Sequence, residues 1–260
     1  MMMEYKPFIS SKMRAVEDFL IDKFVGMDHC MADTGQNLIL EVPKQQCEEV
    51  RLALKGRFGD VALMKNALAM IDDLHDFILV KPLISESPIR EADGISVPEI
   101  EKQLVDHAAD KEFAARTDAD IQREFQRAFE LYSVNTSRLF RYAGRKGQQE
   151  EIRDRVRRIN PQRVEAVHTI QDFFRKEPVE KAWLFGSFSR MEERPESDID
   201  ILVDLDKTVP MGLLTYAGMI NSLESRLGRK IDLVESRSVK PFASENINRD
   251  KVLIYERAGK

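Results

Sequence analysis

Apolar residues follow two rhythms along this chain, and each rhythm predicts a kind of element. Met13, Val16, Phe19, Leu20 and Phe24 recur three or four apart, the spacing of one helix face between about Ile9 and Phe24. Asn37 to Val42 is a short apolar run stopped by Pro43, which predicts a strand, and Phe77 to Val80, closed by Pro82, predicts another. Between them Gln45 to Lys55 reads as a helix with Val50 and Leu54 inward. Gly56 and Gly59 bracket a turn, and Val61 to Ile71 reads as a second helix. Ser85 to Asp93, with Gly94 behind it, predicts a linker or exposed loop. Together these elements make a small α+β module over residues 1–90, in which no motif points to a function.

Helical spacing then dominates residues 91–160, a connecting region with helices over Pro98–Asp110 and Thr117–Tyr132. The second has a start signal in Thr117-Asp118-Ala119-Asp120. A third segment, 161–260, opens with Asn160 as helix cap and Pro161 as first helical residue, ahead of a stripe of Val164, Val167, Ile170, Phe173 and Phe174. Lys181 to Phe185 predicts a buried strand that stops at Gly186. Ser197 to Asp204 alternates polar and apolar before ending in Ile201-Leu202-Val203, and Lys230 to Val234 predicts a further strand. Between those strands Gly212 to Leu227 reads as a helix presenting Leu213, Leu214, Ala217, Ile220, Leu223 and Leu227 to the sheet. Gly228 ends it, and Arg226, Arg229 and Lys230 compensate its carboxyl end.

The third segment also carries the candidate chemistry. Gly186 lets a backbone approach a ligand, and Ser187 follows it at the mouth of a predicted short helix, where free N–H groups favour an anion. Arg190 stands about one turn further on and is either a phosphate ligand or the partner of an acid such as Glu192 or Glu193. After Ser187 and a gap of ten residues come Asp198 and Asp200, two apart on a strand and so on one face. Neighbouring carboxylates repel unless a cation lies between them, and oxygen ligands suit magnesium. Asp232 on the later strand adds a third. Asp200 and Asp232 sit in apolar runs, where an unpaired carboxylate is expensive, and this favours a site over chance placement.

With Gly186-Ser187, the ten-residue gap, Asp198, Asp200 and Asp232, residues 161–257 resemble the minimal nucleotidyltransferase family of the DNA polymerase beta-like superfamily. Ile247 to Tyr255 resembles that family's closing helix and apolar tail. The resemblance implies an α+β chain whose C-terminal mixed sheet is flanked by helices. It further implies two magnesium ions held by Asp198, Asp200 and Asp232, and an NTP, ATP first, cradled by Gly186, Ser187 and Arg190. The reaction moves a nucleoside monophosphate to an acceptor hydroxyl. Members often act as antitoxins that adenylylate a tyrosine of a HEPN-type toxin, so a protein acceptor leads. RNA, or a nucleotide-binding regulator without turnover, are the alternatives. One departure is Met191, where the family commonly has glycine after the arginine, which predicts a different loop over the nucleotide.

Composition narrows the partners. A net charge of −5 argues against a protein devoted to coating nucleic acid. Yet residues 123–163 hold eleven basic side chains against five acidic, and the segment Ser133 to Ala143 mixes arginine with aromatics. This stretch either contacts RNA phosphates or pairs with the acidic remainder of the chain. Tyr132 and Tyr142 within it are candidates for modification in cis. His168 lies five after Arg163, the spacing of HEPN ribonucleases, but on a helix that belongs to the other pattern. Cys30 and Cys47 read as free thiols. No run is long enough to span a bilayer, and the amino terminus lacks a signal-peptide core, so the expected location is the cytoplasm.

Overall fold

The computed structural model describes residues 3, 5–67, 74–110, 116–194, 197–239 and 247–257. They fall into two compact units. One comprises 5–125 and 134–158, the other 126–133 and 159–257 with Met3.

In the first unit, α1 (Ser11–Lys23) starts at Ser10, whose hydroxyl accepts the Met13 amide at 3.2 Å. Strands β1 (Cys30–Asp33), β2 (Leu38–Val42), β3 (Val61–Leu63) and β4 (Ile78–Pro82) form a sheet in the order β1-β2-β4-β3. Its first pair is antiparallel and its others parallel. Between β2 and β4 lie α2 (Cys47–Phe58) and the short α3 (Met64–Ala67). Residues 61–63, expected in a helix, are therefore an edge strand. Val61 pairs with Ile78 in the ladder, and that pairing overrides a short apolar run that periodicity alone leaves ambiguous. Residues 68–71 of that expected helix lie outside the described residues. The expected linker at 85–93 also contains a strand. Here β5 (Ile89–Ala92) pairs with β6 (Ile95–Pro98) through Asp93-Gly94, both at positive φ. Asp-Gly is the two-residue turn that matches strand twist.

Helices α4 (Ile100–Ala109), α5 (Asp118–Leu131), α6 (Thr136–Arg145) and α7 (Gln149–Arg157) follow. A reciprocal box opens α5: the Asp120 amide donates to Thr117 Oγ1, and the Asp120 carboxylate accepts the Thr117 amide, each at 3.1 Å. The division between the units falls inside this helix, after Phe125.

β2 is buried at every position, as suits a strand with parallel company, but it includes Glu41. Lys102, 1% exposed on α4, answers it at 2.9 Å, also bonds Asp106, and donates to the Tyr142 hydroxyl at 3.2 Å. Tyr142 donates in turn to Asp106 at 2.8 Å, and Lys146 reaches both Asp106 and Asp110. Burial opposes charge on Lys102, yet Glu41 and Asp106 hold its ammonium well above the usual range. Burial likewise pushes Asp106 up, but Lys102, Lys146 and Lys81 outweigh it and bring the carboxyl down to about 2. Tyr142, considered above for modification in cis, is thus a buried strut.

The second unit is built on a sheet of order β10-β7-β8-β9, from β7 (Val179–Phe185), β8 (Ile199–Leu205), β9 (Ile231–Glu235) and β10 (Val252–Glu256). β8 and β9 are parallel; the other pairs are antiparallel. Helix α8 (Pro161–Phe174) starts as expected, with the Asn160 side chain accepting from the Gln162 and Arg163 amides. Val167, Ile170, Phe173 and Phe174 join the core with Leu184, Ile201 and Leu233. α9 (Gly186–Arg190) follows β7 directly, and α10 (Leu213–Leu227) bridges β8 to β9. On α10 the expected stripe needs correcting. Leu213 and Leu214 are 84% and 89% exposed, and Ala217 is exposed too. The side that packs is Tyr216, Met219, Ile220, Leu223 and Leu227, and at 100° per residue Leu214 lies opposite it.

The Lys102 cluster gives a stability prediction. Lys102→Met removes the central cation, leaving Glu41 to Lys81 and Asp106 to Lys146 and Tyr142, and should destabilise the first unit by about 3 kcal/mol, read as a lower urea midpoint with an unchanged slope.

Candidate active site

The register of the second sheet assembles the acids. Phe185 on β7 is level with Asp200 on β8, and Asp200 is level with Asp232 on parallel β9. Side chains level with one another on neighbouring strands share a face, so the two carboxylates stand together. Ile199, Ile201, Ile231 and Leu233 alternate with them into the core. Asp232 is consequently exposed and Asp200 half-buried, so the apolar runs around them do not bury both. The argument from burial cost therefore fails for Asp232, because a period of two sends every second residue of an apolar run to the other face. Asp198 precedes β8, exposed, two residues from Asp200.

Gly186 closes the other side. Its φ of 67° lies in the left-handed region, and a Cβ there would overlap the Asp200 carboxylate. Only glycine lets β7 turn into α9 this close to the acid. Ser187 is half-buried in the first turn of α9, whose leading N–H groups have no carbonyl within the helix. The Arg190 guanidinium donates to Glu192 at 2.8 Å and to Asp250 at 2.7 Å, and both bonds raise its pKa. Of the two readings of Arg190, acid pairing is what the free protein displays, although its charge still acts on Asp200.

Met191 ends α9 at φ 61°, ψ 35°. This is the left-handed cap conformation that glycine adopts without strain, so the departure at 191 changes the residue while keeping a backbone suited to glycine.

Asp200 has its pKa pushed up to about 6, first by burial, then by Asp232 and Asp198, with Arg190 partly offsetting them. A half-buried carboxylate with two others close enough to raise its charging cost forms a cation-seeking surface. Among the described residues no three acidic, histidine or cysteine side chains form a ready cage for a metal ion. The all-oxygen pair Asp200 and Asp232 nevertheless fits magnesium, which is held by one or two carboxylates together with water and substrate phosphates.

The arginines of 123–163 are largely committed. Arg138 pairs with Glu99, Arg145 with Glu86, Arg155 with Asp118 and Glu151, Arg158 with Asp118, and Arg163 with Glu130 and Glu193. His168 faces the Phe129 carbonyl at 3.1 Å, in a packing role. A cavity of about 460 Å³ in the first unit is lined by Met31, Ile39, Leu79, Lys81 and Lys102, beside the charge cluster described above. Cys30 and Cys47 are buried and free. No helix among the described residues is long and apolar enough to cross a membrane.

A Gly-Ser turn beneath carboxylates in register on a mixed sheet defines a nucleotidyltransferase of the polymerase beta type, and residues 168–260 match the family model described as "Polymerase beta, Nucleotidyltransferase". Residues 1–162 match a family of unknown function (DUF6577), and the chain belongs to both families, each through its own part. "Putative protein adenylyltransferase MJ1379" of Methanocaldococcus jannaschii is 40% identical over 81 residues, 31% of this chain and 79% of that protein. "Protein adenylyltransferase MntA" of Thermococcus cleftensis is 36% identical over 76 residues, 29% of this chain and 75% of its own. A crystal structure of a toxin-antitoxin with AMP-PNP is 22% identical, with a TM-score of 0.32, covering 35% of this chain and 73% of the other.

Two predictions follow from the site geometry. Asp232→Asn removes a like charge and should lower the Asp200 pKa from about 6 toward the ordinary aspartate value, read by carbonyl-detected NMR titration without divalent metal. Because the folded-state pKa is the raised one, stability is highest below the ordinary aspartate pKa and is lost as pH rises from there through about 6, levelling off above it, and the variant should narrow that pH-dependent loss. Met191→Gly should relieve the left-handed cap and stabilise the fold by about 0.5–1 kcal/mol in urea unfolding.

Proposed function

We propose that this chain transfers AMP from ATP to a hydroxyl on a protein. The observation that carries the reading is the Asp200–Asp232 register with Gly186 packed against Asp200. The relatives named as protein adenylyltransferases support a protein acceptor, and a HEPN-type toxin is the acceptor class that the sequence resemblance implies.

In this reading the first-turn amides and hydroxyl of Ser187 orient the triphosphate, with the Gly186 backbone leaving room for it. Asp198 and Asp200 would hold one magnesium ion, and Asp200 with Asp232 a second. When bound, the metal supplies charge neutralisation of the triphosphate and lowers the pKa of the acceptor hydroxyl. Asp232, the more exposed acid, takes the acceptor's proton. The acceptor oxygen forms a bond to the α-phosphorus while the bond from that phosphorus to the bridging oxygen breaks, and pyrophosphate leaves. Arg190 exchanges Glu192 or Asp250 for phosphate as negative charge accumulates. The pairing of the basic stretch with acids favours a protein over RNA as acceptor.

Incubation with each labelled NTP and magnesium, with and without host lysate, tests this. ATP should label a protein band, and Asp200→Asn should reduce the label at least about 100-fold while leaving the fold intact by circular dichroism. Label in RNA would replace the protein acceptor, and nucleotide binding with no transfer would leave a regulator.

A further inference from the structure

Four of the five carbonyls of α9 accept a hydrogen bond, and two of the donors are arginines from outside the turn. Gly186 O accepts from Ser189 Oγ at 2.8 Å, and Ser187 O from the Glu192 amide at 3.0 Å. Phe188 O accepts from Arg163 Nη2 at 3.1 Å, and Ser189 O from Arg127 Nη2 at 2.6 Å. Both arginines lie behind the turn, within the second unit.

They are not equivalent. Arg163 is bound by Glu130, itself 0% exposed, at 2.7 Å, pairs with Glu193, and stacks 4.1 Å over the Phe188 ring. Although burial disfavours its charge, these acids raise its pKa. Among the described residues Arg127 makes one hydrogen bond, to Ser189 O, and its buried Nη1 has no partner. Burial, reinforced by the Arg163 charge, lowers its pKa despite Glu130. A half-buried guanidinium whose Nη1 gives up water while the group makes one carbonyl bond adds little to stability, and an apolar side chain of similar length would fill the place at comparable or lower cost. Arg127 lies on α5, outside the stretch matched by the nucleotidyltransferase family and inside that matched by the family of unknown function.

We propose that Arg127 is a positioning residue for nucleotidyl transfer. By holding the Ser189 carbonyl it fixes the last turn of α9, and with it the orientation of the Ser187 hydroxyl and the leading amides toward the triphosphate. The proposal rests on the nucleotidyl-transfer reading above. Gln126 keeps the arginine's helix in place, since its side chain accepts the Asn160 amide at 2.6 Å and donates to Glu130 at 3.0 Å.

The test uses the full chain and four proteins: wild type, Arg127→Met, Arg127→Lys, and the exposed neighbour Arg123→Met as control. Arg127→Met should unfold at or above the wild-type temperature. Its amides at 187–191 should exchange with deuterium about tenfold faster, and its Kd for magnesium-ATP should rise about 10- to 100-fold by calorimetry. Arg127→Lys should recover part of both effects, and Arg123→Met should change neither. Wild-type exchange and Kd in Arg127→Met would overturn the proposal. So would a fall in melting temperature in step with the loss of affinity and not recovered by lysine, because that is the signature of a merely structural arginine. If the wild type does not bind magnesium-ATP, the transfer reading falls, and exchange at 187–191 still decides whether Arg127 holds the turn.

Discussion

Two negative charges held level on adjacent parallel strands are the constraint around which the second unit is arranged. The ladder that sets Asp200 beside Asp232 is fixed by backbone bonds and by the burial of Ile199, Ile201, Ile231 and Leu233, so the acids cannot move apart without pulling the core open. Burial first, and then this repulsion, raise the Asp200 pKa, and Arg190 offsets them only in part. The proposed binding of cations together with phosphates would draw on that residual charge, and the glycine at 186 leaves space where a side chain would displace the carboxylate.

Each unit solves its own buried-charge problem differently. In the first, lysines and acids close on one another around Lys102, with a tyrosine hydroxyl interposed, and the cluster is nearly self-sufficient. In the second, an arginine matched by acids, Arg163, stands beside one that is poorly compensated, Arg127, and both donate to carbonyls of α9. Stability explains the lysine cluster and Arg163. It does not explain Arg127, and that difference separates architecture from function in this interior.

The sequence revealed the placement of the candidate site residues better than the architecture of the first unit. Asp198, Asp200, Asp232, Gly186 and Ser187 were legible because a strand's period of two and a fixed gap leave few alternatives, and the Asn160-Pro161 helix start was legible because capping is local. The strand at 61–63 was not, since only its partner at Ile78 makes it one. The 89–98 hairpin had a usable signal in Asp93-Gly94, which the neighbouring proline and serines obscured. For the basic stretch the sequence left RNA contact and pairing with acids open; local pairs such as Arg155 with Glu151 have a helical spacing that reports them, whereas the partners far away in sequence, from Glu86 to Glu193, do not. The face of α10 was misjudged at its first turn because Leu213 and Leu214 are apolar without being covered.

The boundary between the two matched families falls between residues 162 and 168, whereas the second compact unit also includes 126–133. Helix α5 begins in one unit and finishes in the other, and its final turns carry Gln126, Arg127 and Glu130. The transferase unit is therefore not a self-contained cassette: residues 163–260 alone keep the acids and the Gly-Ser turn but lose the Ser189 brace, which the other matched stretch supplies.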